Sequence, residues 1–224
     1  MIASGKSVLL SLLLSSLLPS QATASDALLV AIGKLVKITK QPDPCMPPSE
    51  KSDYGSEPEF ECITLDAVYE ATYEIEQVLV GSTPQRSVTF NIADHYGFPS
   101  FAEYNYALLF INRGEESWLH KYQGYAVHRT TSDEWASCGN PYDDRAGDEP
   151  RDLSEISFAR PLTTLGELSA AGASLRFDER YVEIEDGKVF CRKGIYVEQL
   201  YSIVREGVLK AREIEAPPLS AGEF

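Results

Sequence analysis

The chain predicts a mainly β protein with a C-terminal helix, an α+β fold in which a small antiparallel barrel carries a hairpin-helix extension. Apolar and polar residues alternate through about a hundred residues that follow an apolar N-terminal segment, which is the pattern of half-buried strands. One long strand changes phase in its middle, as strands that bend to close a small barrel do. Near the C terminus the apolar spacing becomes three and four residues, which is typical of an amphipathic helix.

The composition is that of an ordinary globular protein with a large surplus of acid. Of 224 residues, 43% are hydrophobic and 24% are charged, which excludes a mostly disordered chain. Asp and Glu number 34 against 20 Lys and Arg, so the formal net charge is −14. Because this surplus repels phosphate backbones, we expect no nucleic-acid partner.

The first 24 residues predict a secretory signal peptide. Lys6 precedes an apolar run at 8–18, and the small residues Ala22 and Ala24 stand before a cleavage point. At ~1.5 Å per residue the run is too short to cross a hydrocarbon core of ~30 Å, although an uncleaved N-terminal anchor is the alternative. We therefore expect a mature chain from Ser25 that is periplasmic or secreted and has no integral membrane segment.

Four cysteines follow the predicted signal peptide: Cys45, Cys62, Cys138 and Cys191. An even number in an oxidising compartment predicts two structural disulfides. Four cysteines permit three pairings, and the sequence does not choose among them. Their spacing contains no CxxC pair, so we expect neither a zinc ribbon nor a thioredoxin-like redox site.

Residues 25–130 predict the barrel. The first strand covers 28–40, and a loop rich in proline and acid follows to 61. The next strand alternates through Ile75 and resumes out of phase at Val78, which predicts a β-bulge or a sharp bend. The apolar run at 106–111 indicates a central strand or a short buried helix, and the turn residues after it favour the strand. Two further strands are predicted at 88–92 and 118–127, the latter with a phase change at Gly124.

Two regions follow the barrel. Residues 131–157 predict an irregular surface loop that holds Trp135 and Cys138. Residues 158–224 predict an extension packed on the barrel. Its parts are a short helix near 162–172, a hairpin at 175–191 around Asp186-Gly187, and an amphipathic helix at 195–212.

Three segments resemble a known family. They are YEIEQVLVG at 73–81, VTFNI at 88–92 and YALLFI at 106–111. Together they resemble exported OB-fold domains of the netrin-like and tissue-inhibitor-of-metalloproteinase-like kind, over residues 28–129 at most. The resemblance implies an OB-like barrel and a protein that binds another protein. Inhibitors of that family present an N-terminal Cys to the zinc of a protease, whereas the predicted mature chain begins at Ser25, so such chelation is not implied.

The sequence contains few patterns that carry chemistry. It has no GxSxG nucleophile elbow, no phosphate-binding glycine loop and no metal-binding histidine spacing. An acidic stretch lacks the residue order of a calcium loop, which favours a solvated loop. We therefore expect no cofactor, no metal and a non-enzymatic protein. The histidines and the acidic stretch are His95, His120 and His128, and Asp143, Asp144, Asp148 and Glu149.

The strongest non-random feature is a cluster of five aromatic residues within eleven positions: Tyr96, Phe98, Phe101, Tyr104 and Tyr106. A loop that combines aromatic residues with Gly97 and Pro99 has the composition that is typical of a recognition surface. The alternative is a loop that folds back and caps the barrel. On the first hypothesis Tyr96, Phe98 and Phe101 point outward. The complete predicted binding set is Tyr96, Phe98, Phe101, Tyr104, Trp118 and Tyr122.

Two functions remain open from the sequence. The first is an exported acidic binding protein, of inhibitor or immunity type, whose partner is an exported or envelope protein with a basic surface. The alternative is a cell-envelope hydrolase that uses unmarked carboxylates. A pair of buried carboxyl groups with raised pKa values in a cleft would favour the enzyme. A convex surface rimmed by aromatic side chains would favour the binding protein.

Overall fold

Five long strands of the chain close into a barrel. The structure is a computed structural model that describes residues 27–43, 45, 64–141, 153–162, 177–186 and 188–219. The barrel order is β1-β2-β3-β5-β4, and β1 pairs with β4 to close it. Only β3 and β5 run parallel, which makes the barrel OB-like and confirms the predicted fold class. The strands are β1 (Leu28–Lys40), β2 (Ala67–Val80), β3 (Ser87–Asp94), β4 (Tyr106–Arg113) and β5 (Ser117–Ala126).

The phase change predicted in the second strand is a real irregularity. Ile32 pairs with Gln77 and Gly33 pairs with Ile75, so Glu76 is an extra residue of β2. At this bend β1 and β2 approach closely, because a Cβ atom built on Gly33 would lie 2.9 Å from Cβ of Tyr73. Only glycine fits there without a shift of the neighbouring strand.

The barrel encloses the first hydrophobic core. Alternate strand residues point inward, so the alternation in the sequence becomes a filled interior. Two large side chains, Tyr73 and Phe90, stack there with ring centroids 5.7 Å apart. Further buried members are Leu29, Ala31, Ala71, Ile92, Leu109 and Ile111.

The segment predicted as an irregular loop contains a buried strand. Trp135 is 4% exposed, its ring lies 5.0 Å from that of Tyr106, and the Arg129 guanidinium lies over it at 4.1 Å. Trp135 begins strand β7 (Trp135–Cys138), which pairs on both sides within a four-stranded sheet of order β6-β7-β11-β8. Its strands are β6 (His128–Arg129), β7 (Trp135–Cys138), β8 (Ser154–Glu155) and β11 (Lys193–Tyr196).

The hairpin around Asp186 is confirmed. β9 (Val182–Glu185) pairs antiparallel with β10 (Lys188–Cys191), and Asp186 has the positive φ of 49° that such a turn requires. The strand begins later than predicted, since residues 177–181 form turns. The predicted helix at 162–172 lies outside the described residues except for Leu162, which forms an isolated bridge with Val189.

The C-terminal helix begins two residues later than predicted. Ile195 and Tyr196 belong to β11, where they pair with Ser137 and Ala136, and this pairing overrides their helical spacing. Helix α1 (Val197–Val204) continues into a π-helical segment, Arg205–Leu209. The wider turn makes Leu209 the next buried residue after Val204, instead of Val208.

A second core lies between the barrel and α1. Phe110 stacks on Tyr201 with ring centroids 6.0 Å apart and an interplanar angle of 4°. Because β1 and β4 border both cores, residues 28–32 and 107–111 are buried without alternation. The central strand predicted at 106–111 is confirmed.

Two of the predicted disulfide cysteines form a bridge in the structure. Cys138 and Cys191 are joined across a sequence separation of 53, which ties β7 to β10. Cys45 is also disulfide-bonded, whereas Cys62 and the predicted signal peptide lie outside the described residues. Among the described helices, none has the length and hydropathy to cross a bilayer.

We predict that protein purified from its own compartment has a mass four hydrogens below the fully reduced value.

The double variant Cys138→Ser, Cys191→Ser should lower the free energy of unfolding by about 4 kcal/mol, because the bridge closes a loop of roughly 50 residues. Urea unfolding monitored by circular dichroism measures this change. Four thiols that alkylate without reductant would contradict the predicted mass.

Candidate binding surface

The connection between β3 and β4 divides the predicted aromatic set. Tyr96 and Phe98 are 86% and 46% exposed, whereas Phe101 is only 7% exposed. A 3-10 turn at Ser100–Glu103 produces this division by reversing the chain toward the barrel. The first part of the loop is therefore turned to solvent and the second part is turned to the core.

Four exposed apolar side chains form what we call the aromatic ridge: Leu65, Tyr96, Phe98 and Tyr122. The rings of Tyr96 and Tyr122 lie 5.9 Å apart. Phe98 contacts Tyr69 edge to face at 5.7 Å, which anchors it on the barrel. The His95 ring lies 5.4 Å from that of Tyr96, and its Nδ1 is 2.5 Å from the carbonyl oxygen of Leu65. The ring contact between Tyr96 and Tyr122 and the contact of His95 with the Leu65 carbonyl thus bring together the β3–β4 loop, β5 and the segment before β2.

Polar contacts hold the ridge in place. Lys121 Nζ donates to Asp66 Oδ2 at 2.6 Å, which joins β5 to the start of β2. This hydrogen bond raises the pKa of Lys121. His95 Nδ1 lies 3.6 Å from Asp66 Oδ1, and the backbone N–H of Tyr96 donates to Asp94 Oδ1 at 2.8 Å. Contacts of His95 and Asp94 fix the start of the loop and burial of Phe101 fixes its second part, so little ordering is needed when a partner binds.

Tyr122 has an unusual backbone conformation. Its φ of 64° is in the left-handed region, which a bulky residue seldom adopts. β5 bulges there, because Leu109 pairs with Gly124 while Ile111 pairs with Leu119. The buried Gln123 fixes the bulge by donating to the Lys121 carbonyl at 3.1 Å and accepting from Tyr125 at 2.6 Å. Strain of about 1–3 kcal/mol at an exposed ring is typical of functional sites.

Phe101 closes the end of the barrel, contrary to the prediction that it points outward. A Cβ atom added to Gly124 would lie 2.6 Å from the Phe101 ring, so the ring sits directly on the strand backbone. Phe101 belongs to the inner core together with Ala102 and Leu109. The capping alternative therefore describes Phe101, while Tyr96 and Phe98 are exposed as predicted.

Tyr104 and Trp118 lie away from the ridge. Tyr104 contacts His128 edge to face at 5.4 Å, and burial raises the pKa of its hydroxyl to about 12. Trp118 pairs with Asn112, near the end of β4 that is opposite the β3–β4 loop, and its indole donates to Glu116 at 3.3 Å. The sequence prediction missed Leu65 and Lys121, because it selected aromatic residues alone and neither of these side chains is aromatic.

Among the residues that the structure describes, no Asp or Glu side chain is buried. The carboxyl groups with shifted pKa values are Asp178, Glu183 and Glu206, and an arginine hydrogen bond lowers each of them. In the same ranges no group of three or more His, Cys, Asp and Glu side chains has the arrangement of a metal site. These observations favour neither the hydrolase nor a metal centre.

Comparison with known proteins gives the chain no relative. No family model, curated protein or solved structure matches it. The closed five-stranded barrel is OB-like in kind, and the netrin-like resemblance has no support beyond that form.

We predict that Phe101→Ala and Phe98→Ala differ strongly in stability. Loss of the buried Phe101 ring should lower the free energy of unfolding by about 3–5 kcal/mol. Loss of the half-exposed Phe98 should lower it by about 1 kcal/mol or less. Thermal and urea melts of both variants measure the difference, and equal losses would contradict the division of the loop.

His128 should make the stability depend on pH. Burial lowers its pKa to about 4, below the ordinary 6.5 that it recovers on unfolding, so the unfolded state binds a proton first. The contribution of neutral His128 to the free energy of unfolding is fully present above pH ~6.5 and is lost as the pH falls toward ~4. Between pH 7 and pH 5 the free energy of unfolding should fall by about 1–2 kcal/mol. Urea melts at the two pH values measure it.

In the variant His128→Phe, the free energy of unfolding should fall much less between pH 7 and pH 5 than it does in the wild type. His120, whose pKa is lowered by burial and by Arg212, is present in both proteins and cancels in the comparison. An unchanged pH dependence in the variant would show that His128 does not cause it.

Proposed function

We propose that the protein is an exported acidic binding module, of inhibitor or immunity type, that engages a partner protein through the aromatic ridge. The observation that carries this proposal is the exposure of Tyr96, 86%, on a loop that hydrogen bonds and ring contacts hold in place. A large ring left in water on a fixed loop loses no folding contact when it enters an interface. Rigid aromatic side chains of this kind supply most of the binding energy in many interfaces.

The charge of the segment that precedes the ridge residue Leu65 in the sequence supports a basic partner. Residues 46–63 carry five acidic residues and one lysine. Asp43 accepts the N–H of Cys45 at 2.8 Å and the hydroxyl of Thr64 at 2.9 Å, so the described residues on the two sides of this segment lie close together. Thr64 directly precedes Leu65. An acidic segment joined to the ridge in this way favours approach of a positively charged surface.

The strain at Tyr122 also supports a role in binding. A glycine adopts a φ of 64° without the steric cost that tyrosine has there. A sequence that retains tyrosine at this position places a ring beside Tyr96 at the expense of stability. Such exchanges of stability for a surface feature are usual at functional sites.

The test is affinity capture from the native extracytoplasmic extract, with the wild-type chain and ridge variants as baits. A partner retained by the wild type should be lost or depleted with Tyr96→Ala and with Tyr122→Gly. Each substitution should weaken binding by about 1–3 kcal/mol, measured by calorimetry on the purified pair. Tyr122→Gly should also unfold no more easily than the wild type, since it removes the strain.

Val78→Ala is the matched control. Val78 is an exposed apolar residue of β2, 37% exposed, and it lies eleven positions along the strand from Ala67, which flanks the ridge. Its truncation should leave partner binding unchanged. Recovery of no partner at stoichiometric levels, or equal losses in Val78→Ala and Tyr96→Ala, would overturn the proposal.

A further inference from the structure

A cleft of about 640 Å³ lies behind the ridge. One wall is the second half of β5 and the following residues, and the other is the turn at 177–182 that leads into β9. The Cys138–Cys191 bridge joins the two sides, since Cys138 lines the cleft and Cys191 ends the hairpin. The volume is within the ~300–1,000 Å³ of small-molecule sites. Tyr122 borders both the cleft and the ridge.

Aromatic rings cover much of the cleft. Tyr104, Tyr122 and Tyr181 all line it. Tyr181 lies against the backbone of Gly139, where an added Cβ would come within 2.9 Å of its ring. Gly139 has a φ of 67°, so a glycine is needed there both for the conformation and for the close approach.

The polar groups of the cleft balance in charge. Arg180 Nε donates to Asp178 Oδ2 at 2.8 Å, and the Arg180 guanidinium stacks over Tyr181 at 4.9 Å. Among the described lining residues, these two ionised side chains therefore neutralise each other. Further polar lining groups include the hydroxyls of Ser100 and Ser137, the amide of Asn140 and the imidazole of His128, whose pKa of about 4 keeps it neutral at pH 7.

We propose that this cleft binds an uncharged saccharide of one or two pyranose rings. A pyranose has apolar C–H faces that stack on aromatic rings, and its hydroxyl groups both donate and accept hydrogen bonds. The cleft offers aromatic faces together with hydroxyl, amide and imidazole groups of both kinds. Among the lining residues that the structure describes, the ionised side chains Asp178 and Arg180 already compensate each other, which favours an uncharged ligand. This site adjoins the proposed protein interface at Tyr122, whereas Tyr96 and Phe98 belong to the ridge and do not line the cleft.

Titration of the ¹⁵N-labelled full chain with three disaccharides tests the proposal. The probes are N,N′-diacetylchitobiose, cellobiose and maltose at millimolar concentration. At least one should shift the amide signals of Gly124 and Gly139, which line the cleft, to saturation. The amide of Gly97, in the loop that carries the ridge residues, should not move. Tyr181→Ala should weaken the binding at least tenfold, and Ala126→Phe should abolish it by filling the cleft.

Tyr96→Ala is the control and should bind the disaccharide as the wild type does. Thermal melts establish whether each variant is folded. If Ala126→Phe does not fold, the binding measured with Tyr181→Ala decides the outcome. Saturable shifts with none of the three probes, or undiminished binding by the folded cleft variants, would overturn the inference. Because Tyr96→Ala impairs only the proposed protein interface, failure of one proposal is distinguishable from failure of the other.

Discussion

Pairing of β1 with both β2 and β4 is the constraint on which the rest of the structure depends. Through these two ladders the first strand closes the barrel, and its alternate residues enter different cores. Leu29 and Ala31 face the interior, while Val30 and Ile32 face the second core, which also contains residues of α1. A defect in β1 would therefore open the barrel and uncover the helix together.

The bulges of the barrel strands determine where the aromatic side chains lie. The extra residue in β2 lets that strand bend around the interior, and glycine at position 33 permits the close approach to Tyr73. The bulge in β5 turns Tyr122 outward and leaves Gly124 flat beneath the Phe101 ring. One irregular strand thus both seals the barrel end and presents a ring to solvent. Stability and the candidate surface are linked through the same backbone.

The loop between β3 and β4 combines two roles that a composition alone does not separate. Phe101 is buried because a glycine lies opposite it, and Tyr96 is exposed because the chain has not yet reversed at Ser100. The loop is consequently anchored by its own core residue. An exposed aromatic group on such an anchored loop is preorganised, which lowers the entropy lost on association.

Local patterns in the sequence determined the strands of the barrel, the bulge near Ile75, the hairpin at Asp186 and the amphipathic C-terminal segment. These features depend on residues near one another in the chain, so alternation and turn residues report them directly. Tertiary structure decided the rest. Trp135 became part of a buried strand because Tyr106 and Arg129 pack against its ring, and Ile195 joined a sheet because Ser137 pairs with it. Burial of Phe101 and exposure of Tyr96 likewise depend on which residues lie opposite each side chain. The loop sequence has no periodicity, so it does not predict which of its side chains are buried.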